Sequence, residues 1–376
     1  MPPSLLGLIV DLIRTRGPIT VAEFIDLALY HPTLGYYTAA RQRSGRAGDF
    51  FTSVDVGPLF GEMLAVQLDE MWRLAGAPAR FDLVEAAAGN GRLARDVLDA
   101  ARRDTPAFYE AAALHLVERS APARAAQHDT LGPHAGKLAA SLETIPSGLT
   151  GVIFANELLD ALPVHLVVMR DDGLREMRVA EHAGALVTRE GPPSTPAIAR
   201  YLERAGADLR PGWMAEVNLA AEAWVRDAAR CLDRGFLIVI DYGHDAAELF
   251  SASHASGTLR TFGQHATHPG ALAWLDDPGG RDITAHVDLT GIRLTAEDAG
   301  LATLAALDQT YFLIGLGIAE RLSHDTGDPV AAVRRRLAAK TLLVPGGMGS
   351  THKVLIFGKE VGTPPLACAS FGGRLT

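Results

Sequence analysis

Apolar residues along this chain switch between two spacings. Leu5, Leu8, Ile9, Leu12 and Ile13 recur with helical spacing and predict an amphipathic helix near 4–15. Further helices are predicted near 20–30, 57–75 and 92–103, with a helical segment over 215–233. Between them lie short, nearly continuous apolar runs at 81–85, 114–118, 151–155 and 235–240, and a last one at 353–357 that is expected to pair with 301–307. Strands that are apolar throughout are covered on both faces. Separated by helices, they predict an α/β fold around a mostly parallel, doubly wound sheet.

Two stretches depart from this alternation. Residues 164–190 predict antiparallel strands turning at Asp171-Asp172-Gly173 and His182-Ala183-Gly184. Residues 246–292 are rich in Gly, His, Ser and Asp with little periodicity. Loops of that length in a compact protein usually carry function. The expected organisation is a helical segment over 1–75 capping the site and a core over 76–165, 211–245 and 301–361. Antiparallel strands are inserted at 166–210, a loop region lines the cleft at 246–300, and a loose tail follows at 362–376.

Composition narrows the class. The chain has 376 residues, 48% hydrophobic and 21% charged, as a globular protein does. A formal net charge of −9 with no basic run disfavours nucleic acid as a partner. The apolar run Leu5–Val10 is short and has neither a basic flank nor a cleavage site, so no signal peptide or membrane span is expected. Two cysteines, Cys231 and Cys368, lack metal-ligand spacing and suit a reduced, cytoplasmic compartment.

The run Phe81 to Leu93 carries the first chemistry. It reads as a strand, a glycine turn at Gly89 and Gly91, and a helix start, a unit that aims free N–H groups and a positive helix end at a small ligand. Gly89-Asn90-Gly91-Arg92-Leu93-Ala94 fits the loose dinucleotide pattern. Two acidic residues sharpen it. Glu118 ends the second strand, where a carboxylate can accept both ribose hydroxyls. Glu85 ends the first, where it would repel a pyrophosphate but suit a cation. Together they favour S-adenosylmethionine (SAM), which has a sulfonium and an ammonium and no phosphate, over a nicotinamide dinucleotide.

At the end of the third strand stand Asn156, Glu157 and Asp160. Asn156 is expected to cap a short helix stopped by Pro163, which would put Glu157 and Asp160 on one face. Ligands in such sheets sit at the carboxyl ends of the strands, so this is the expected catalytic group. Asp241-Tyr242-Gly243 ends another strand, and Tyr242 is a candidate to pack on substrate. His265 and His268 lie three apart with His286 beyond. Loop histidines are more often polar surface groups than ligands, so no metal is assigned and His286 is placed in the substrate cleft. Phe50, Phe51 and Thr52, after Gly48, are expected in a mobile loop that excludes water from the site.

Several segments in one order carry a family resemblance. They are Tyr30-His31-Pro32 with Gly35-Tyr36-Tyr37, Gly48 to Ser53, Phe60-Gly61-Glu62, Glu85 to Leu93, Asn156 to Pro163, Asp241-Tyr242-Gly243, Gly257 to Arg260 and Asp282 to Asp288. In these the chain resembles the MidA-like class I SAM-dependent methyltransferases, which include a mitochondrial factor that methylates an arginine of a respiratory complex I subunit. The resemblance implies a Rossmann-like core with a smaller covering part and a protein substrate. It also implies SAM held by Glu85, Gly89, Gly91 and Glu118, with Asn156, itself a cofactor contact, and Glu157 near the transferred methyl. One departure stands out, because Ala87 and Ala88 occupy positions where the family has glycine and proline. An inactive SAM-fold assembly factor, a small-molecule methyltransferase and a nicotinamide oxidoreductase remain as alternatives.

Overall fold

This computed structural model describes residues 4–38, 52–263, 266–267, 272–323, 328–344 and 347–370. The chain forms two compact units. One comprises Phe51–Leu158, Arg226–Tyr242 and Thr295–Thr376; the other comprises Met1–Phe50, Leu159–Val225 and Gly243–Leu294. The boundary near the N-terminus therefore falls at 50/51 and not after 75, which leaves the helix Leu59–Leu74 with the first unit.

The first unit is built on seven strands: β1 (Phe81–Ala86), β2 (Ala112–Val117), β3 (Leu138–Leu142), β4 (Leu149–Asn156), β5 (Leu232–His244), β6 (Ala302–Asp308) and β7 (His352–Lys359). Their order in the sheet is β3-β2-β1-β4-β5-β7-β6. β3, β2, β1, β4 and β5 run parallel, and β7 is antiparallel to both of its neighbours. Every residue of β1 is buried, which explains why the run lacks an alternating pattern. Helices Leu59–Leu74, Arg92–Asp104 and Gln309–Gly315 contribute Leu64, Leu68, Val97, Leu98 and Phe312 to one core with Leu83, Phe154, Ile238 and Val354.

The expected helical segment over 215–233 is shorter than its periodicity suggested. Met214–Val217 is a strand and the helix spans Leu219–Cys231. Asn218 sets the boundary, since its Oδ1 accepts the Ala221 N–H at 2.9 Å, as a helix cap does. The segment after Gly362 is also better held than its composition implied. Leu366 and Cys368 are buried, and the Ala367 N–H donates to Glu70 Oε1 at 2.9 Å.

The second unit contains the predicted hairpins: His165–Arg170, Gly173–His182 and Ala185–Gly191, extended by Ile19–Thr20 and Met214–Val217. Ala183 and Gly184, at φ +51° and +85°, make the second turn. Helices Leu5–Arg16 and Val21–Tyr30 pack on this sheet through Ile9, Ile13, Phe24 and Ile25. The low-periodicity stretch forms short strands. Arg260–Gly263 pairs with Asp282–Thr284, and Val287–Asp288 runs parallel to Gly243 and His244 at the end of β5. Among the described residues no helix is long and apolar enough to cross a membrane.

Candidate cofactor and methyl-transfer site

In the first unit the carboxyl ends of β2, β1, β4 and β5 lie side by side. Glu85 is level with Leu116 of β2 and Phe154 of β4, and Asn156 is level with Ile240 of β5. The glycine turn follows β1. Gly89 and Gly91 both have left-handed φ, +51° and +84°, which glycine adopts without steric penalty. A Cβ on Gly91 would also stand 2.9 Å from Leu116 Cδ1. Ala87 has φ +54°, so the alanine that departs from the family pattern does sit in glycine's region.

The turn is fixed from outside. The Gly89 N–H donates to Glu118 Oε2 at 2.9 Å, and the Gly89 carbonyl accepts from Gln127 Nε2 at 2.9 Å. Gln127 is fully buried and its own Oε1 accepts from Ser141 Oγ at 2.6 Å. The Gly91 N–H is taken by the Ala88 carbonyl. The expectation of free N–H groups aimed at a ligand therefore fails for Gly89 and Gly91, because the turn spends these donors on its own shape. Sequence reasoning missed Gln127, although an amide buried in an alanine-rich helix is itself a signal, since it must find partners.

Glu85 differs from its expected role. Its carboxyl group is buried, and its Oε2 accepts the Ala94 N–H at 3.0 Å. It thus caps the first turn of Arg92–Asp104, whose N-cap residue Gly91 has no side chain to do so. Burial pushes its pKa up to about 8, opposed by the Ala94 hydrogen bond and reinforced by Glu118 and Asp96. Glu85 thus shapes the turn, a task its place at the strand end did not announce. Glu118 is held by two backbone groups, and its Oε2 accepts the Gly89 N–H. Its Oε1 accepts from Ser120 N–H at 2.7 Å, and each carboxylate oxygen retains a further lone pair.

The catalytic group also differs in part. Residues 157–163 form turns and no helix. Glu157 has φ +52°, which breaks the path from strand into helix. Glu157 and Asp160 therefore do not share a helical face. Asp160 belongs to the second unit, is buried, and accepts the Ala285 N–H on its carbonyl at 2.9 Å. The Glu157 N–H donates to the Ile240 carbonyl at 2.8 Å. Its Oε1 accepts from Ser53 N–H at 3.2 Å and Asn156 Nδ2 at 3.3 Å, and lies 3.5 Å from His352 Nε2. The buried Asn156 Oδ1 has no hydrogen-bond partner. An orphaned buried acceptor at a strand end fits an ammonium donor such as the one SAM carries.

Residues 52–55 join these two ends of the site. Thr52 N–H and Oγ1 both donate to Asp55 Oδ2 at 3.0 Å, and Asp55 Oδ1 meets Arg92 at 2.8 Å. Arg92 also donates to the Val54 carbonyl. Ser53 is fully buried, and its Oγ donates to Gln309 Oε1 at 3.1 Å. Thus one short segment contacts the helix after β1 through Asp55 and the end of β4 through Ser53. Phe50 and Phe51 lie outside the described residues, as do His265 and His268. Tyr242 has its ring centroid 5.8 Å from that of His352. Asp241 orders this corner, accepting Tyr242 N–H at 2.9 Å and Leu158 N–H at 3.1 Å. His352 was not singled out as a site residue, and Ser53, the last residue of the Gly48–Ser53 run, was passed over for the Phe50, Phe51 and Thr52 before it. His286 is found in the second unit, with its N–H on Thr258 Oγ1 at 3.0 Å. Burial and the neighbouring His244 and His254 push its pKa down to about 4.

Comparison with known proteins decides the family. Residues 63–307 match the family of S-adenosyl-L-methionine-dependent methyltransferases. The chain belongs to that methyltransferase family. A Burkholderia thailandensis protein crystallised with S-adenosyl-homocysteine is 31% identical, with TM-score 0.89 over 98% of this chain and 95% of that one. Among curated relatives, the Drosophila melanogaster mitochondrial protein arginine methyltransferase NDUFAF7 homolog is 33% identical over 91% of this chain and 82% of its own. The Danio rerio mitochondrial protein arginine methyltransferase NDUFAF7 is 28% identical over 92% of this chain and 85% of its own. The methyltransferase uses SAM, and its mostly parallel sheet is the Rossmann-like core expected from the sequence. The cytoplasmic expectation is overturned, because these curated relatives are named as mitochondrial proteins.

Proposed function

We propose that this methyltransferase moves the methyl group of SAM to an arginine side chain of a protein. The observation that carries this reading is the relationship to proteins named arginine methyltransferases across nine-tenths of the chain. The site's chemistry supports it. When bound, SAM supplies a methyl already activated by its sulfonium. The N–CH3 bond forms as the S–CH3 bond breaks, and one guanidinium proton must leave. The free guanidinium has a pKa above ~12, so that proton is the difficult part.

Glu157 suits the task. A carboxylate can orient a guanidinium through paired hydrogen bonds and accept its proton as transfer proceeds. The Ser53 and Asn156 hydrogen bonds fix Oε1 and leave Oε2 for substrate. On this reading the ribose is held by Glu118, the ammonium by Asn156 Oδ1, and Tyr242 lines the approach to Glu157. The target is proposed to be a respiratory complex I subunit, as in the family this chain resembles.

The test is transfer of labelled methyl from SAM to arginine-containing protein, followed by hydrolysis and identification of methylated arginine. Label on another residue type or only on small molecules would overturn the arginine assignment.

A further inference from the structure

We infer that His244, His254 and His286 form a binding site for a zinc ion within the second unit. One ring nitrogen of each lies within 4.8 Å of one from each of the others. His244 Nε2 and His286 Nδ1 are 3.1 Å apart. A tetrahedral zinc with bonds of about 2.0–2.1 Å sets its nitrogens about 3.3 Å from one another. The His254 ring centroid is 4.7 Å from that of His244 and 6.0 Å from that of His286. A small side-chain rotation of His254 brings its nitrogen into such a shell.

The surroundings select the right tautomers, as assigned from their partners. His244 Nδ1 faces Glu248 Oε2 at 3.1 Å. The negative charge of that carboxylate favours the tautomer with its proton on Nδ1, which leaves the Nε2 lone pair for the cluster, the usual arrangement of a metal-binding histidine. His254 Nδ1 lies 3.0 Å from the Glu248 carbonyl, again leaving Nε2 as the donor atom. The backbone is prearranged as well. His244 is level with Asp288 in a parallel pair, which brings the strand end beside His286. The His286 N–H is bound to Thr258 Oγ1, and Thr258 is fixed by two bonds to the buried Glu216 carboxylate through its N–H and a third through Oγ1.

Three neutral imidazoles suit a borderline cation such as zinc and not magnesium or calcium, which prefer oxygen. They leave a fourth position for water or another ligand. The cluster escaped the sequence because its members are 10 and 32 residues apart, and because His265 and His268 looked closer to metal spacing.

The test uses the full, untagged chain stripped with chelator and titrated with zinc alone by calorimetry. One ion per chain is expected. His254→Ala and His286→Ala should each weaken binding by at least about tenfold, with unchanged melting of the metal-free protein. Cobalt in the wild-type chain should give the intense visible absorption of a tetrahedral site, a readout independent of how the variants fold. Failure of the wild type to bind zinc stoichiometrically, a weak octahedral cobalt spectrum, or unchanged affinity in both variants would each overturn the site.

Discussion

Glu118 and Gly89 are joined across the glycine turn: the carboxylate that ends β2 accepts the Gly89 N–H at 2.9 Å. One side chain therefore shapes the turn, and on the proposed reading it also holds the ribose. Gln127 completes the grip from the opposite side through the Gly89 carbonyl. The turn is thus ordered by its neighbours before any ligand arrives.

Glu118→Ala should weaken SAM binding by about 1–3 kcal/mol, since ribose hydroxyls and the Gly89 N–H both lose an acceptor. Glu118→Gln should fall between the two. Calorimetric titration with SAM measures this. Wild-type affinity in the alanine variant would remove Glu118 from the cofactor site.

Ala87→Gly should stabilise the protein by up to about 1 kcal/mol, because Ala87 occupies left-handed backbone at φ +54°. A higher melting temperature with equal or tighter SAM affinity is expected. A lower melting temperature would mean that the alanine methyl is well packed and outweighs the strain.

Glu157→Gln keeps the size of the side chain and its contact with the Ser53 N–H but cannot accept a proton. Methyl transfer should drop by about 10²–10⁴-fold, the usual size of a lost general base, while SAM still binds. Single-turnover rates with saturating SAM would show it. An unimpaired rate would assign proton removal elsewhere.

Glu85 predicts a pH effect. Its folded-state pKa, about 8, lies above the ordinary glutamate value of 4.5. Between those values the folded protein binds the proton more tightly than the unfolded chain does, so stability falls as pH rises through that window. Glu85→Gln mimics the protonated group and should lose less. Melting of ligand-free protein from pH 6 to 9 should separate the two by at least ~1 kcal/mol at the alkaline end. Parallel curves would show that Glu85 is ionised in the fold.

The sheet was legible because its strands are buried on both faces. Phe81–Ala86 and Phe236–Ile240 can hardly be read otherwise. Hairpin turns were legible from Asp171-Asp172-Gly173, where residue type states the backbone need. Glu157 follows the end of β4 as read, but its left-handed φ was not legible, since nothing about a glutamate announces it. The helix assigned from Asn156 to Pro163 failed for that reason. Glu85 was placed correctly at the strand end, yet its direction depends on an N–H nine residues later that only the folded turn supplies. The two units alternate along the chain. Their boundaries at 225/226 and 242/243 fall inside a helix and a strand, so composition does not mark them.

The place of β7 bears on how the protein is made. It pairs with β5 on one side and β6 on the other, through Val354, Leu355 and Ile356, yet it comes from residues 352–359, after the other six strands. During synthesis β5 and β6 must wait with open hydrogen-bonding edges until this last strand leaves the ribosome. Exposed apolar edges recruit other chains. The nascent protein is therefore most vulnerable in the interval before residues 352–359 emerge, while the place between β5 and β6 is still unfilled.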